Sequence, residues 1–215
     1  MLERVFPSDV IVVEAAEASE ATELHPEEAA QLGRVSEQRR HEFAAGRACA
    51  RLALERLGLP AAAPLLSRPD RSPAWPEGAV GSISHCQGGC AAAVGLASRY
   101  AALGLDLERE GRTRPELARR ICTPAERARL DHFEGLDALG LIFSSKEAVY
   151  KAWHPLTGIH LGFQDVEIDL EPENGRFHAR LLSAAPPQAR GHARLEGRFV
   201  VAGGLLAAGV ALARG

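Results

Sequence analysis

"ALGLDLE", residues 102–108, alternates leucine with glycine and acid: Leu103, Leu105 and Leu107 against Gly104, Asp106 and Glu108. Successive side chains of a strand point to opposite faces. The stretch therefore reads as a strand that buries three leucines on one side and sets two carboxylates side by side on the other. Adjacent carboxylates repel unless positive charge lies between them, and a hard cation such as Mg2+ takes oxygen ligands of this kind. A solvated edge strand has the same pattern, so the pair needs support from elsewhere in the chain.

Working outward, the elements on either side repeat a theme. "DVIVVEA" reads as a strand. A long helix covers about Ser36 to Leu57, with Ser36 as N-cap, Phe43, Ala50 and Leu54 at helical spacing, and Gly58 at its end. "VGSISH" and "CAAAVGLA" read as two strands across the Gln87-Gly88-Gly89 turn. After residue 108, "TPAERARLDHF" opens a helix with the Thr123/Glu126 capping box. "DALGLIFSSKEAVYKAWH" is a second long helix, and four segments after it alternate like antiparallel strands. The pattern predicts an α+β protein of two similar lobes, 1–103 and 104–215. Each is a small antiparallel sheet on a long helix, and the two are related by pseudo-twofold symmetry.

Composition narrows the function classes. The chain has 215 residues, 46% hydrophobic and 25% charged, with a net charge of −3. That balance gives no general attraction to nucleic acid or anionic membrane. Glu14 to Glu28 holds six glutamates and no basic residue, while Arg112 to Arg129 holds six arginines against two glutamates. Both read first as solvated faces, and the second also as a docking surface for an acidic partner. Four cysteines do not make a disulfide framework, and Cys86 and Cys90 lack two further paired ligands for zinc. The start has no signal-peptide pattern, and the 15-residue apolar run Phe199 to Ala213 is short for a membrane span. A cytoplasmic protein without stable membrane insertion is expected.

The two lysines of the chain, Lys146 and Lys151, stand in "FSSKEAVYK", residues 143–151, while the other 23 basic residues are arginine. On a helix Glu147 and Lys151 share a face, and a surface ion pair would account for them. It would not account for the choice of lysine. Lysine is a compact charge that can release a proton, which arginine does not do. The exception points to an ammonium that binds phosphate or donates a proton. "GSISHC", residues 81–86, adds Ser82, Ser84 and His85 near a strand end. Neither a Gly-x-Ser-x-Gly elbow nor a Gly-Lys-Ser/Thr phosphate loop is present.

"GSISHC", "GLDLE" and "FSSKEAVYKAW", in that order and joined by "RRHEFAAGRACAR" and "PDRSPAWPEGAVG", resemble the signature of 4′-phosphopantetheinyl transferases of the large, Sfp-like class, in the enterobactin-synthase-type subgroup. The similarity covers about residues 36 to 153. It implies transfer of the 4′-phosphopantetheine arm of coenzyme A to a serine of an apo acyl, aryl or peptidyl carrier protein, with release of 3′,5′-ADP. Asp106, Glu108 and Glu147 match the family's metal-binding acids, for Mg2+ or alternatively Mn2+. Lys151 matches a lysine at the reacting phosphate, and Lys146 is placed on the other side of the pyrophosphate. Ser84 and His85 match coenzyme A phosphate contacts, and Arg39 and Arg47 match arginines at the 3′-phosphate. Arg68 and Arg71 are alternatives for a further basic contact. Glu147, Lys151 and His85 are the catalytic candidates. The protein is expected to be a monomer that meets its carrier transiently and binds no nucleic acid. Two other readings compete: a metal-dependent hydrolase of a nucleotide or pyrophosphate, using the same acids, and a carrier-binding protein with a decayed site.

Overall fold

The computed structural model describes residues 1–15, 23–182 and 194–214. A short 3-10 turn, Leu2–Val5, leads into β1 (Ile11–Ala15), followed by helices α1 (Pro26–Leu32) and α2 (Glu37–Arg56). Strands β2 (Ala79–Cys86), β3 (Gly89–Leu96) and β4 (Tyr100–Arg109) come next. Short helices α3 (Ala118–Ile121) and α4 (Pro124–Arg127) precede the long α5 (Ala138–Thr157). The chain closes with β5 (Val166–Glu171), β6 (Arg176–Leu181), β7 (Arg194–Ala202) and β8 (Leu205–Ala213).

The class is α+β with two antiparallel sheets. One has three strands in the order β1-β3-β2, and the other has five in the order β4-β8-β7-β6-β5. Each packs on a 20-residue helix, α2 and α5 respectively. Local chemistry sets both helices. The Ser36 hydroxyl accepts from Arg39 N at 3.2 Å, and Asp137 Oδ1 accepts from Gly140 N at 2.9 Å, each satisfying an amide the first turn leaves open. Gly158, at φ 69°, ends α5 in the left-handed conformation that only glycine adopts cheaply.

β4 lies wholly in the five-stranded sheet, so the chain changes sheets in the turn 97–99, slightly ahead of the expected junction near residue 103. Its two faces divide as the alternation requires. Leu103, Leu105 and Leu107 pack with Leu2, Val5, Phe6, Val12, Ala91 and Ala93 in a core shared with the first sheet. The opposite face lies under α5. A Cβ on Gly104 would stand 1.9 Å from the carbonyl oxygen of Ala148. Glycine here is what lets the helix backbone approach the strand closely.

The two sheets meet edge to edge. β2 and β4 are both edge strands, and unpaired edge groups need partners. Serine side chains supply them: Ser82 Oγ accepts from Leu105 N at 3.0 Å and Ser84 Oγ from Leu107 N at 3.1 Å. Candidate site residues Ser84, Asp106 and Lys151 meet at this seam.

Some sequence expectations fall short. The helix read from Thr123 is one α turn followed by a 3-10 turn at Leu130–His132. Helix α1 carried no strong periodic signal. The acidic stretch is not one solvated face: Glu28 is fully buried, bonded to Arg51 Nη1 and Leu65 N, both at 2.8 Å. Glu17 and Glu20 lie outside the described residues.

Candidate active site

Asp106 and Glu108 project from β4 towards α5, and Glu147 and Lys151 project from α5 towards β4. The Lys151 ammonium donates to Asp106 Oδ1 at 2.7 Å, Ser84 Oγ at 2.9 Å and the Leu105 carbonyl at 3.0 Å. The simple surface pair with Glu147 is thus replaced by a part-buried anchor across the seam. Asp106 is 4% exposed, and its second oxygen, Oδ2, is buried with no hydrogen-bond partner among the described residues.

That orphan oxygen has acidic neighbours. Burial first, then the charges of Asp106 and Glu147, push the Glu108 carboxyl up to about 7, although Lys151 and Arg112 act against the shift. Burial and Asp106 likewise raise Glu147, against Lys151. Three carboxyl groups therefore share one site with a single nearby ammonium, and burial together with the Asp106 charge shifts Glu108 and Glu147 upwards. Oxygen donors in negative excess fit a hard divalent cation. As the side chains lie, no three acidic, histidine or cysteine groups among the described residues converge tightly enough to close a metal site. Binding a cation would need the two glutamates to turn towards Asp106.

Basic groups line the first lobe's side of the seam. Arg39 Nη1 is hydrogen bonded to His85 Nε2, and Glu42 lies 3.4 Å from Arg39 and 3.5 Å from His85 Nδ1. Burial and the Arg39 charge lower the His85 pKa, so a neutral ring accepts from the guanidinium. One helical face further along, Arg47 stacks 4.2 Å over the Phe43 ring and donates to Ser67 Oγ at 2.9 Å. Burial lowers Arg47 to about 10, opposed by Glu28. Its Nε is buried without a partner among the described residues.

Two clefts flank the acids. One, of about 350 Å³, runs between β2, β4 and α5 and includes Arg68, Arg71, Trp75, Tyr150, Lys151 and His154. Its rim is a tight loop in which Arg71 has a φ of 69° and Asp70 accepts from Ser72 N and Oγ. Both candidate arginines thus line one cleft. The other, of about 510 Å³, opens beside Glu147 and includes Tyr150, Leu161 and Phe163.

Two expectations are corrected. Lys146 cannot offer a donor to a phosphate. Its side chain is 1% exposed, and its ammonium already donates to Glu126 Oε2 at 2.7 Å, the Phe163 carbonyl at 2.7 Å and the Ile121 carbonyl at 2.9 Å. Ser84 is buried as well, its hydroxyl engaged by Leu107 N, Lys151 and Asp106. It clamps the seam rather than presenting itself to a ligand. Sequence reasoning missed Glu126 as the partner of Lys146, since the capping box accounted for it already. Tyr150, beside Lys151, was missed too, although it lines both clefts.

Two family profiles match the chain. The 4′-phosphopantetheinyl transferase N-terminal domain matches residues 27–95, and the 4′-phosphopantetheinyl transferase superfamily matches residues 102–202. The chain is 36% identical over 224 residues to the 4′-phosphopantetheinyl transferase Npt of Nocardia iowensis, covering 99% of this chain and 100% of that one. It is 44% identical over 200 residues to the 4′-phosphopantetheinyl transferase Svp of Streptomyces mobaraensis, covering 88% and 79%. Similarity to the enterobactin synthase component D of Escherichia coli O157:H7 is 40% over 147 residues, covering 65% and 66%. The chain belongs to the 4′-phosphopantetheinyl transferase family. It is a transferase acting on carrier proteins, and the hydrolase reading finds no support in these relatives. The enterobactin-type subgroup is supported only over part of the length.

Proposed function

We propose that the chain transfers the phosphopantetheine arm of coenzyme A to a serine hydroxyl of an apo carrier protein. The observation that carries this reading is the buried Oδ2 of Asp106, unpartnered among the described residues, beside Lys151, with Glu108 and Glu147 near enough that burial and the Asp106 charge raise both. Asp106, Glu108 and Glu147 would hold Mg2+, or Mn2+ in its place. The ion would supply neutralisation of the pyrophosphate charge that grows as the phosphorus is attacked.

The remaining steps fall to the chain's own residues. Glu147, its carboxyl raised by burial and Asp106, takes the proton of the carrier serine as the oxygen bonds to phosphorus. Lys151 exchanges one of its present acceptors for a phosphate oxygen and steadies the departing 3′,5′-ADP. Arg39, His85 and Arg47 receive the 3′-phosphate, and the buried Nε of Arg47, unpartnered among the described residues, suits a doubly charged group. Arg68 or Arg71 adds a contact from the loop. The charged nucleotide end suits the cleft with the arginines, and the uncharged arm suits the cleft of Tyr150, Leu161 and Phe163. The same reading takes the protein as a monomer of two halves related by a pseudo-twofold axis, 1–103 and 104–215, meeting its carrier transiently. A siderophore pathway is one setting, supported by the partial match to enterobactin synthase component D.

The test is one assay. Purified protein is incubated with coenzyme A and Mg2+, with and without several apo carriers. A carrier gaining the mass of the arm, with 3′,5′-ADP formed in step, is the expected result. Nucleotide release without any carrier would overturn it.

A further inference from the structure

Lys146 touches neither cleft opening as a free charge, yet it is one of only two lysines in the chain. Its three hydrogen bonds go to three different segments: the end of α3 at Ile121, the first turn of α4 at Glu126, and the loop ahead of β5 at Phe163. Glu126 carries the connection onward. Its Oε2 also accepts from Thr123 N at 2.6 Å, and its Oε1 accepts from Ile168 N at 2.6 Å on β5. Gln164 closes the ring from its own side, donating to the Arg120 and Cys122 carbonyls, both at 3.0 Å. All three Lys146 donors and both Glu126 oxygens are used, and the pair is 1% and 0% exposed.

The fastened segments are those that wall the 510 Å³ cleft. Arg120 and residues from His160 to Val166 line it, and Lys146 and Glu147 form its side on α5. One buried pair therefore sets how far the cleft wall stands from the carboxylate next to Lys146 in the chain.

We propose that Lys146 and Glu126 are positioning residues for the reaction, fixing the cleft wall against Glu147 so that the uncharged arm is held in register with the reacting phosphate. The inference rests on the transferase reading above but concerns a different contact, one that never meets substrate. Lysine is needed because a single compact ammonium reaches three acceptors that diverge around it, which a planar guanidinium cannot do in the same space.

The test uses the full chain and the paired variant Lys146→Met/Glu126→Gln. It removes both charges together, and the glutamine carbonyl keeps one of the backbone contacts. Replacing both members of a buried ion pair is far better tolerated than removing one, so this variant keeps the fold better than Lys146→Met alone. Two readouts are compared with the wild type by calorimetry and by carrier transfer. The variant is expected to bind 3′,5′-ADP unchanged and to lose the extra affinity that the arm gives coenzyme A over 3′,5′-ADP. Its kcat is expected to fall about a hundredfold, as for a displacement of about 1 Å at the reacting groups. Lys146→Arg should fail to rescue either readout. Wild-type transfer by the paired variant, or equal losses for 3′,5′-ADP and coenzyme A, would overturn the proposal. If the wild type itself modified no carrier, the transferase reading would fall, while the difference between the two ligands would still decide the role of Lys146.

Discussion

Lys146 and Lys151 stand five residues apart on one helix, and each sets its ammonium 2.7 Å from a carboxylate oxygen. The similarity ends there. Around Lys146 the charges balance: one ammonium, one carboxylate, and every remaining hydrogen-bonding position filled by backbone. Around Lys151 they do not. Asp106 keeps an unpartnered buried oxygen, and Glu108 and Glu147 add negative charge that one ammonium cannot offset. Burial of a balanced, saturated pair serves geometry. Burial of an unbalanced cluster maintains an electrostatic debt that a cation can settle, which is how perturbed groups gather at functional sites.

Substitutions can break this contrast. The largest effects should come from the acids. Asp106→Ala should abolish transfer while the fold persists, a loss of several kcal/mol in transition-state stabilisation. Near-normal turnover of that variant at low Mg2+ would remove Asp106 from the site. Lys146→Met alone should act on the fold instead. Leaving Glu126 buried and unpaired costs about 3–5 kcal/mol, visible as a large fall in Tm.

Lys151→Arg should separate the two lysines further. Lys151 is 27% exposed at its side chain, so a guanidinium can be accommodated with little change in Tm. Misplacement at the phosphate should lower kcat about a hundredfold. Equal turnover with arginine would show that lysine carries no chemical meaning there. At the distal end, Arg47→Ala should weaken coenzyme A by about 1.5–3 kcal/mol and 3′-dephospho-coenzyme A far less. Isothermal titration of both ligands measures the difference.

Glu108 gives a pH test without any substrate. Its folded-state pKa of about 7 lies above the ordinary 4.5, so the fold binds the proton more tightly than the unfolded chain. Stability from this group is present below about 4.5 and is lost as pH rises towards 7. Glu108→Gln should therefore raise Tm at pH 8 and leave it nearly unchanged at pH 4. Added Mg2+ should raise the Tm of the wild type at pH 8 more than that of the variant, as linkage requires. The smallest effect is expected for Thr157→Ala, which loses hydrogen bonds to Trp153 O and Ile159 N at the end of α5. Its Tm should drop by about 2–4 °C per kcal/mol lost, with turnover unchanged.

Much of this was legible in the chain. The period-2 leucines of residues 103–107 placed β4 and oriented its acids, because strand geometry allows one alternation only. Ser36 and Thr123 marked helix starts, since open amides in a first turn demand such side chains. The rarity of lysine singled out both ammonium groups, and the order of motifs indicated the family. What the sequence by itself could not determine was which lysine is saturated by its surroundings and which lies beside an unbalanced cluster of acids. Both lie on one helix, and their rotational separation becomes meaningful only once β4 and the segment 121–126 take their places around it. The roles of Ser84 and Glu126 were likewise decided by tertiary structure. A serine beside a histidine reads as a ligand contact until a second edge strand arrives to occupy its hydroxyl. A glutamate in a capping box reads as a cap until an ammonium from 20 residues away is buried against it. Spacing along a chain fixes which neighbours an element's own geometry brings together. Partners from distant segments are fixed by packing, and so is the balance of charge that separates a support from a site.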